Sequence, residues 1–422
     1  MPRKVAVLLS LLFTLTALPQ TLTQERRVVP LGPLSRAANA QVEPGVASNG
    51  HGFLAIWVDL RANHAVYQQT GSLLWASHFA VDGTLTSAAG MKLAEGVLDA
   101  SIASDGEDYL IAMRRVDGIY TQQFDDEGHA LADAVKVDAA TVNPMMLSSN
   151  GSSYLLVTNN QSELQWRMLD RSGRPIGDPQ VISGSTAWNN SAAIATNDGA
   201  YHLIYATQSC ISGQGCSYGV ADMTVRNGEA ASPRTLVSPS VYLGYVAAAS
   251  GGDQFLVAWV ATDNQQLFIN EQIFDESDNP VTAARQLAPA FQEPVTVWSD
   301  GARYLVSRAN SSYAIVGQRV GRDGVPIDAT PFVVAGAAAP AAFARGGGRA
   351  AVVWSSADSP PDIYGRVVFD FNELASTNAE PLRLSNAPSV QHSPAAASLG
   401  GRTIRVWRAG DGNGSIEAAI DG

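Results

Sequence analysis

Apolar and polar positions along this chain fall into a pattern that returns. Residues 47 to 57 read ASNGHGFLAIW: a small-residue lead-in, an Asn-Gly turn, then an almost unbroken apolar run. The pattern comes back as ASDGEDYLIAM (103–113), SSNGSSYLLVT (148–158), ATNDGAYHLIYA (195–206) and ASGGDQFLVAW (249–259). It returns again as WSDGARYLVSR (298–308), ARGGGRAAVVW (344–354) and ASLGGRTIRVW (397–407). Asn-Gly and Asp-Gly tolerate positive φ and close tight hairpins, and apolar runs this short predict strands rather than helices. Anchored on Asn49, Asp105, Asn150, Asp198, Gly251, Asp300, Gly346 and Leu399, the copies recur every 45–56 residues. An aromatic follows four positions later at Phe53, Tyr109, Tyr154, Phe255 and Tyr304. His202 takes that column in the fourth copy and reads as a packed strand residue.

A second turn lies further along each unit, as in FAVDGTL, FDDEGHAL, LDRSGRPI, FDESDNPV, VGRDGVPI and FDFNEL. Strand signals flank it, so each unit of roughly 50 residues supplies four strands, the signature of a propeller blade. The first strand of each unit is rich in small residues, as at 247–249 and 395–397, which suits the crowded centre of a radial array. The expected fold is an all-β β-propeller of eight four-stranded blades, with seven as the alternative count. Residues 31–44 align without gaps to 381–394, so the N-terminal strand is expected to complete the last blade. Pairing it there would remove two open sheet edges.

With these motifs the chain resembles bacterial secreted β-propeller repeat proteins, whose units read P-x-V-A-S-[ND]-G-x-x-[YF]-L-V-x-W. The resemblance covers about residues 31–422; Thr158, Ala206 and Arg308 depart from it where Trp is expected. It implies a fold and a home outside the cytoplasm, and no activity.

The start of the chain adds a compartment. Arg3 and Lys4 precede an apolar stretch from Val5 to Leu18, which reads as a secretory signal over 1–24 and leaves 25–422 as one propeller domain. That stretch is shorter than the roughly 18–20 residues a membrane span needs. A secreted, periplasmic or cell-surface location is expected, with no membrane insertion after cleavage. The net charge of −12 and the lack of a Lys/Arg cluster argue against nucleic acid as a partner. In an exported chain Cys210 and Cys216, in CISGQGC, predict a small disulfide loop.

Candidate chemistry is sparse. GCSYG at 215–219 matches the nucleophile elbow G-x-S-x-G, but that motif works on a strand-to-helix turn and Ser217 stands in a predicted hairpin. The acidic runs at 125–127 and 275–278 read as turn carboxylates bonded to local backbone. The column of Trp57, Trp259, Trp354 and Trp407 reads as packing between blades. No cofactor and no metal site are expected. Loops entering the inner strands bring Glu43, Asp99, Trp188, Tyr245, Glu293 and His392 towards one face, where the long connections 60–72, 207–217 and 356–362 also lie. The function expected is a monomeric, non-enzymatic binding or scaffold module for a protein or glycan partner. The alternative is a polysaccharide-acting glycosidase or lyase using Asp99, Glu293 and His392.

Overall fold

Each Ser-Asn-Gly or Ser-Asp-Gly segment closes a hairpin through its own side chains. In the first copy Asn49 Oδ1 accepts hydrogen bonds from the N–H groups of His51 and Gly52, both at 3.0 Å. Ser48 Oγ donates to Gly52 O at 2.7 Å and accepts from Gly50 N at 3.1 Å. Gly50 stands at φ 89°, where a side chain would be strained. Asp105, Asn150 and Asp300 repeat the arrangement.

The computed structural model describes residues 41–421 apart from 60–71, 87–89, 140–144, 161–162, 186–191, 198, 212–214, 241–242, 264–265, 291–294, 313, 337–340, 357–361, 377–380, 385–390, 400–401 and 410–414. Within 41–383 the hairpins extend into seven antiparallel sheets whose strands pair in chain order, except that 234–240 and the short 229–230 both pair with 215–226. They cover residues 41–95, 99–138, 146–182, 192–240, 243–289, 296–335 and 342–383, here blades 1 to 7. The second strand of a blade is apolar throughout because it is covered on both faces. In Gly52–Asp59 every residue is buried; Phe53, Ala55 and Trp57 face one neighbouring blade, while Leu54, Ile56 and Val58 face the other. Double coverage explains an unbroken apolar run where a half-exposed strand would alternate.

Seven apolar clusters among the described residues fill the seams between adjacent blades. One of them decides the blade count: Val46, Phe53, Ala55 and Trp57 of blade 1 pack with Ala344, Ala351, Val353 and Ile363 of blade 7. The first and seventh sheets therefore meet directly. This is a seven-bladed β-propeller, the alternative count rather than the eight first expected. The eighth copy carries the repeat pattern but forms a three-stranded sheet, Gln391–Leu399, Arg402–Ala409 and Ser415–Asp421, in a second unit that includes 388–422. The signal segment and the N-terminal strand expected to complete the last blade fall on residues 1–40, outside the described residues.

Trp57, Trp259 and Trp354 are buried in seams, as their fixed place in the repeat predicts. Two other expectations need correction. The aromatic column in blade 4 is held by Tyr201, not His202: Thr196 pairs with Tyr201 as Ser48 pairs with Phe53. Tyr201 Oη donates to Ser153 O at 2.6 Å and accepts from Asn150 N at 3.1 Å, tying its strand to the preceding blade's turn. The segment FDFNEL runs into a short helix, Phe371–Ser376, rather than a simple turn. Asp370 caps it by accepting from the N–H groups of Asn372 and Glu373. Among the described residues no helix is long and apolar enough to cross a membrane.

Candidate functional site

The region 207–217, expected as a long loop, is a continuation of two strands. Ala200–Ile211 and Gly215–Arg226 are 12 residues each and stay in register to Ile211 and Gly215. Cys210 and Cys216 stand directly opposite one another and form the disulfide, with Cα atoms 4.0 Å apart. The loop it closes is short, so replacing both cysteines with Ser should lower stability by only about 2 kcal/mol. Calorimetry should show one cooperative melt at slightly reduced temperature, and global unfolding would contradict a local role.

Beside this hairpin lies a cleft of about 440 Å³, bounded by Ser183 and Gly184 where the chain leaves blade 3. Tyr205 and Ala221 floor it, Thr207, Ser209 and Ser217 line it from the same face of the sheet, and Arg234 and Thr235 come from the outer strand, the Arg234 guanidinium turning away to Ser277 O and Asp278 of blade 5. The backbone ties its walls together, since Gln208 N donates to Gly184 O at 3.4 Å, while the Gln208 carboxamide turns to the opposite face and donates to Tyr218 Oη at 3.2 Å. Burial pushes the Tyr205 phenol up to about 12, so it stays protonated. Among the described residues the lining holds no carboxylate, imidazole or thiol. Such a surface can hydrogen-bond a neutral polar ligand; it offers no general acid–base pair. Ser217 Oγ donates to Ser209 O at 3.3 Å on an antiparallel hairpin, which is not the setting of a nucleophile elbow.

Of the residues expected on a binding face, three lie on inner strands: Glu43 in Gln41–Ser48, Asp99 opening Asp99–Ser104, and Tyr245 in Leu243–Ser250. Asp99 lies 3.8 Å from Arg114 Nε, and Tyr245 packs half-buried on the cluster between blades 5 and 6. Trp188 and Glu293 fall outside the described residues, and His392 belongs to the second unit. The length of 207–217 pointed to the cleft from sequence. Nothing marked Arg234, whose outer strand carries no motif.

The turn acids behave as expected at Asp125 and Asp275, each accepting two backbone N–H bonds from its own turn. Asp278 departs from that reading. It stands at φ 59°, is buried, and lies beside His202 and Asp222 of blade 4. Burial opposes the imidazolium, but the hydrogen-bonded Asp222 carboxylate and the neighbouring Asp278 carboxylate outweigh it and raise His202. Burial and the neighbouring Asp278 carboxylate push Asp222 up.

No family model matches the chain, and no curated protein matches it. Among solved structures it is similar to the BP39L lectin from Burkholderia pseudomallei: 14% identity, 83% of this chain and 99% of that one, TM-score 0.59. It is also similar to the hydrazine synthase of Kuenenia stuttgartiensis: 10% identity, 81% and 98% coverage, TM-score 0.52. The shared feature is the fold. At these identities the likeness carries no residue roles, and the propeller's chemistry rests on its own side chains.

Proposed function

We propose that the chain is an exported, non-enzymatic propeller that binds a glycan in the cleft beside the disulfide-bonded hairpin of blade 4. The observation that carries this reading is the lining: the hydroxyl-bearing Thr207, Ser209, Ser217 and Thr235 over a tyrosine floor, on a hairpin stiffened by a covalent bridge. Sugars present many neutral donors and acceptors, and a site of this kind satisfies them without a titrating group. The likeness to a lectin along nearly the whole of that protein agrees with this reading. The acidic balance opposes polyanionic partners.

The test is a glycan array followed by calorimetry on the best binder. Ser217→Tyr, which fills the cleft, and Thr207→Ala should each weaken binding by about tenfold or more, roughly 1.4 kcal/mol, with melting unchanged. Undiminished affinity in both variants would place the ligand elsewhere. Retention of peptides but no glycan would replace the ligand class, and turnover of a bound glycan would remove the non-enzymatic reading.

A further inference from the structure

The seam between blades 4 and 5 differs from its neighbours at three positions that face one another. The first is the residue after the aromatic column. It is Leu54, Leu110, Leu155, Leu256 and Leu305 in blades 1, 2, 3, 5 and 6, and His202 in blade 4. The second lies on the third strand, opposite the residue two further along: Thr121 in blade 2, Asp222 in blade 4. The third is the positive-φ residue of the next blade's outer turn, which is Gly128, Gly173, Gly228 and Gly324 in blades 2, 3, 4 and 6 but Asp278 in blade 5.

The blade 2–3 seam shows why these three changes belong together. A Cβ built on Gly173 would stand 2.6 Å from Leu110 Cδ1 and 3.0 Å from Thr121 Oγ1. A side chain at the turn glycine therefore enters the space between the other two positions. At the blade 4–5 seam Asp278 does so, in a conformation that costs a non-glycine residue free energy, and a histidine and an aspartate replace the groups it would otherwise strike.

We infer that His202, Asp222 and Asp278 form a binding site for a divalent first-row transition ion that clamps blade 4 to blade 5. One ligand atom from each lies within 4.8 Å of the other two. His202 Nδ1 is 2.7 Å from Asp222 Oδ2 and 3.6 Å from Asp278 Oδ1, and the Phe255 ring covers the imidazole with centroids 4.6 Å apart. His202, Asp222 and Asp278 are only 2%, 1% and 8% exposed. Asp222 Oδ1 and Asp278 Oδ1 nevertheless find no hydrogen-bond donor among the described residues. Buried carboxylate oxygens left unpartnered are costly, and a cation between them supplies what the protein does not.

An imidazole with two carboxylates suits zinc and its neighbours; calcium and magnesium prefer all-oxygen sets. The ion would take Nδ1 in place of its proton. With all three donors buried, its role is a cross-link rather than a catalyst. Arg234, exposed and 3.6 Å from Asp278 Oδ2, is the neighbouring cation and leaves both Oδ1 atoms free. Blade 5 supplies a contrast: Glu271 holds the position of Asp222, but Leu256 and Gly324 complete that seam, so the donor set is missing.

The experiment uses the full chain, stripped with chelator and then titrated with zinc chloride. One equivalent should survive desalting, cobalt in its place should give a visible absorption band, and Tm should rise by about 3–4 °C at a hundredfold excess over Kd. The triple variant His202→Leu/Asp222→Thr/Asp278→Gly rebuilds the blade 2–3 pattern. It should fold, retain no zinc and show no response in Tm. Should it not fold, Asp278→Gly alone serves with the same readouts, because it removes a ligand while relieving the turn. Less than a tenth of an equivalent in the parent chain would overturn the inference. So would equal retention by the variant.

Discussion

Replacing Trp57 with Ala should destabilise the propeller by about 3–5 kcal/mol, the range for deleting a fully buried aromatic side chain. Trp57 is 0% exposed and lies where blade 1 meets blade 7, against Ala351, Val353 and Ile363. Its neighbours there are small or branched and already fully buried, so they have little room to collapse into the space left behind. The indole Nε1 has no hydrogen-bond partner among the described residues, so the loss is one of packing alone. Urea unfolding followed by circular dichroism measures it; a loss below about 1 kcal/mol would mean that this seam does not close the ring.

Stability should fall as pH rises through neutrality, and Glu271 should be a principal cause. Its side chain is buried, both carboxylate oxygens lack partners among the described residues, and burial pushes it from 4.5 up to about 7, with Arg285 only partly compensating. Because the folded-state value lies above the unfolded one, the contribution is fully present below about 4.5 and is lost as pH passes through about 7. The difference integrates to roughly 3 kcal/mol. Glu271→Gln should flatten the dependence between pH 5 and pH 8.5 and be more stable than the parent at the upper end. Thermal melts across that range decide it, and parallel curves for the two proteins would assign the effect to other groups.

Much of the fold was legible because the repeat is written in groups with local consequences. Asn49, Asp105, Asn150 and Asp300 form their turns with atoms a few residues away, so sequence alone locates the hairpins. The cysteine pair was legible for the same reason, and the Trp column because it holds a fixed place in the repeat. The blade count was not, since the eighth copy matches the pattern and only the meeting of Val353 with Trp57 across 296 residues of chain separates seven blades from eight. The place of His202 is legible in the sequence. Aligned on Thr196-Asn197 rather than on the following glycine, Tyr201 falls into the aromatic column without a gap. The cleft was half legible, through the length of its hairpin, whereas Arg234 reaches it only through pairing with Asp222 across the sheet.

Neighbouring blades are joined by the polypeptide at six of the seven seams; between the seventh and the first no backbone crosses directly among the described residues. That boundary is where thermal opening is expected to begin. The molecule can part there as a split washer does, every ladder intact within its own sheet and only one set of side chains wetted.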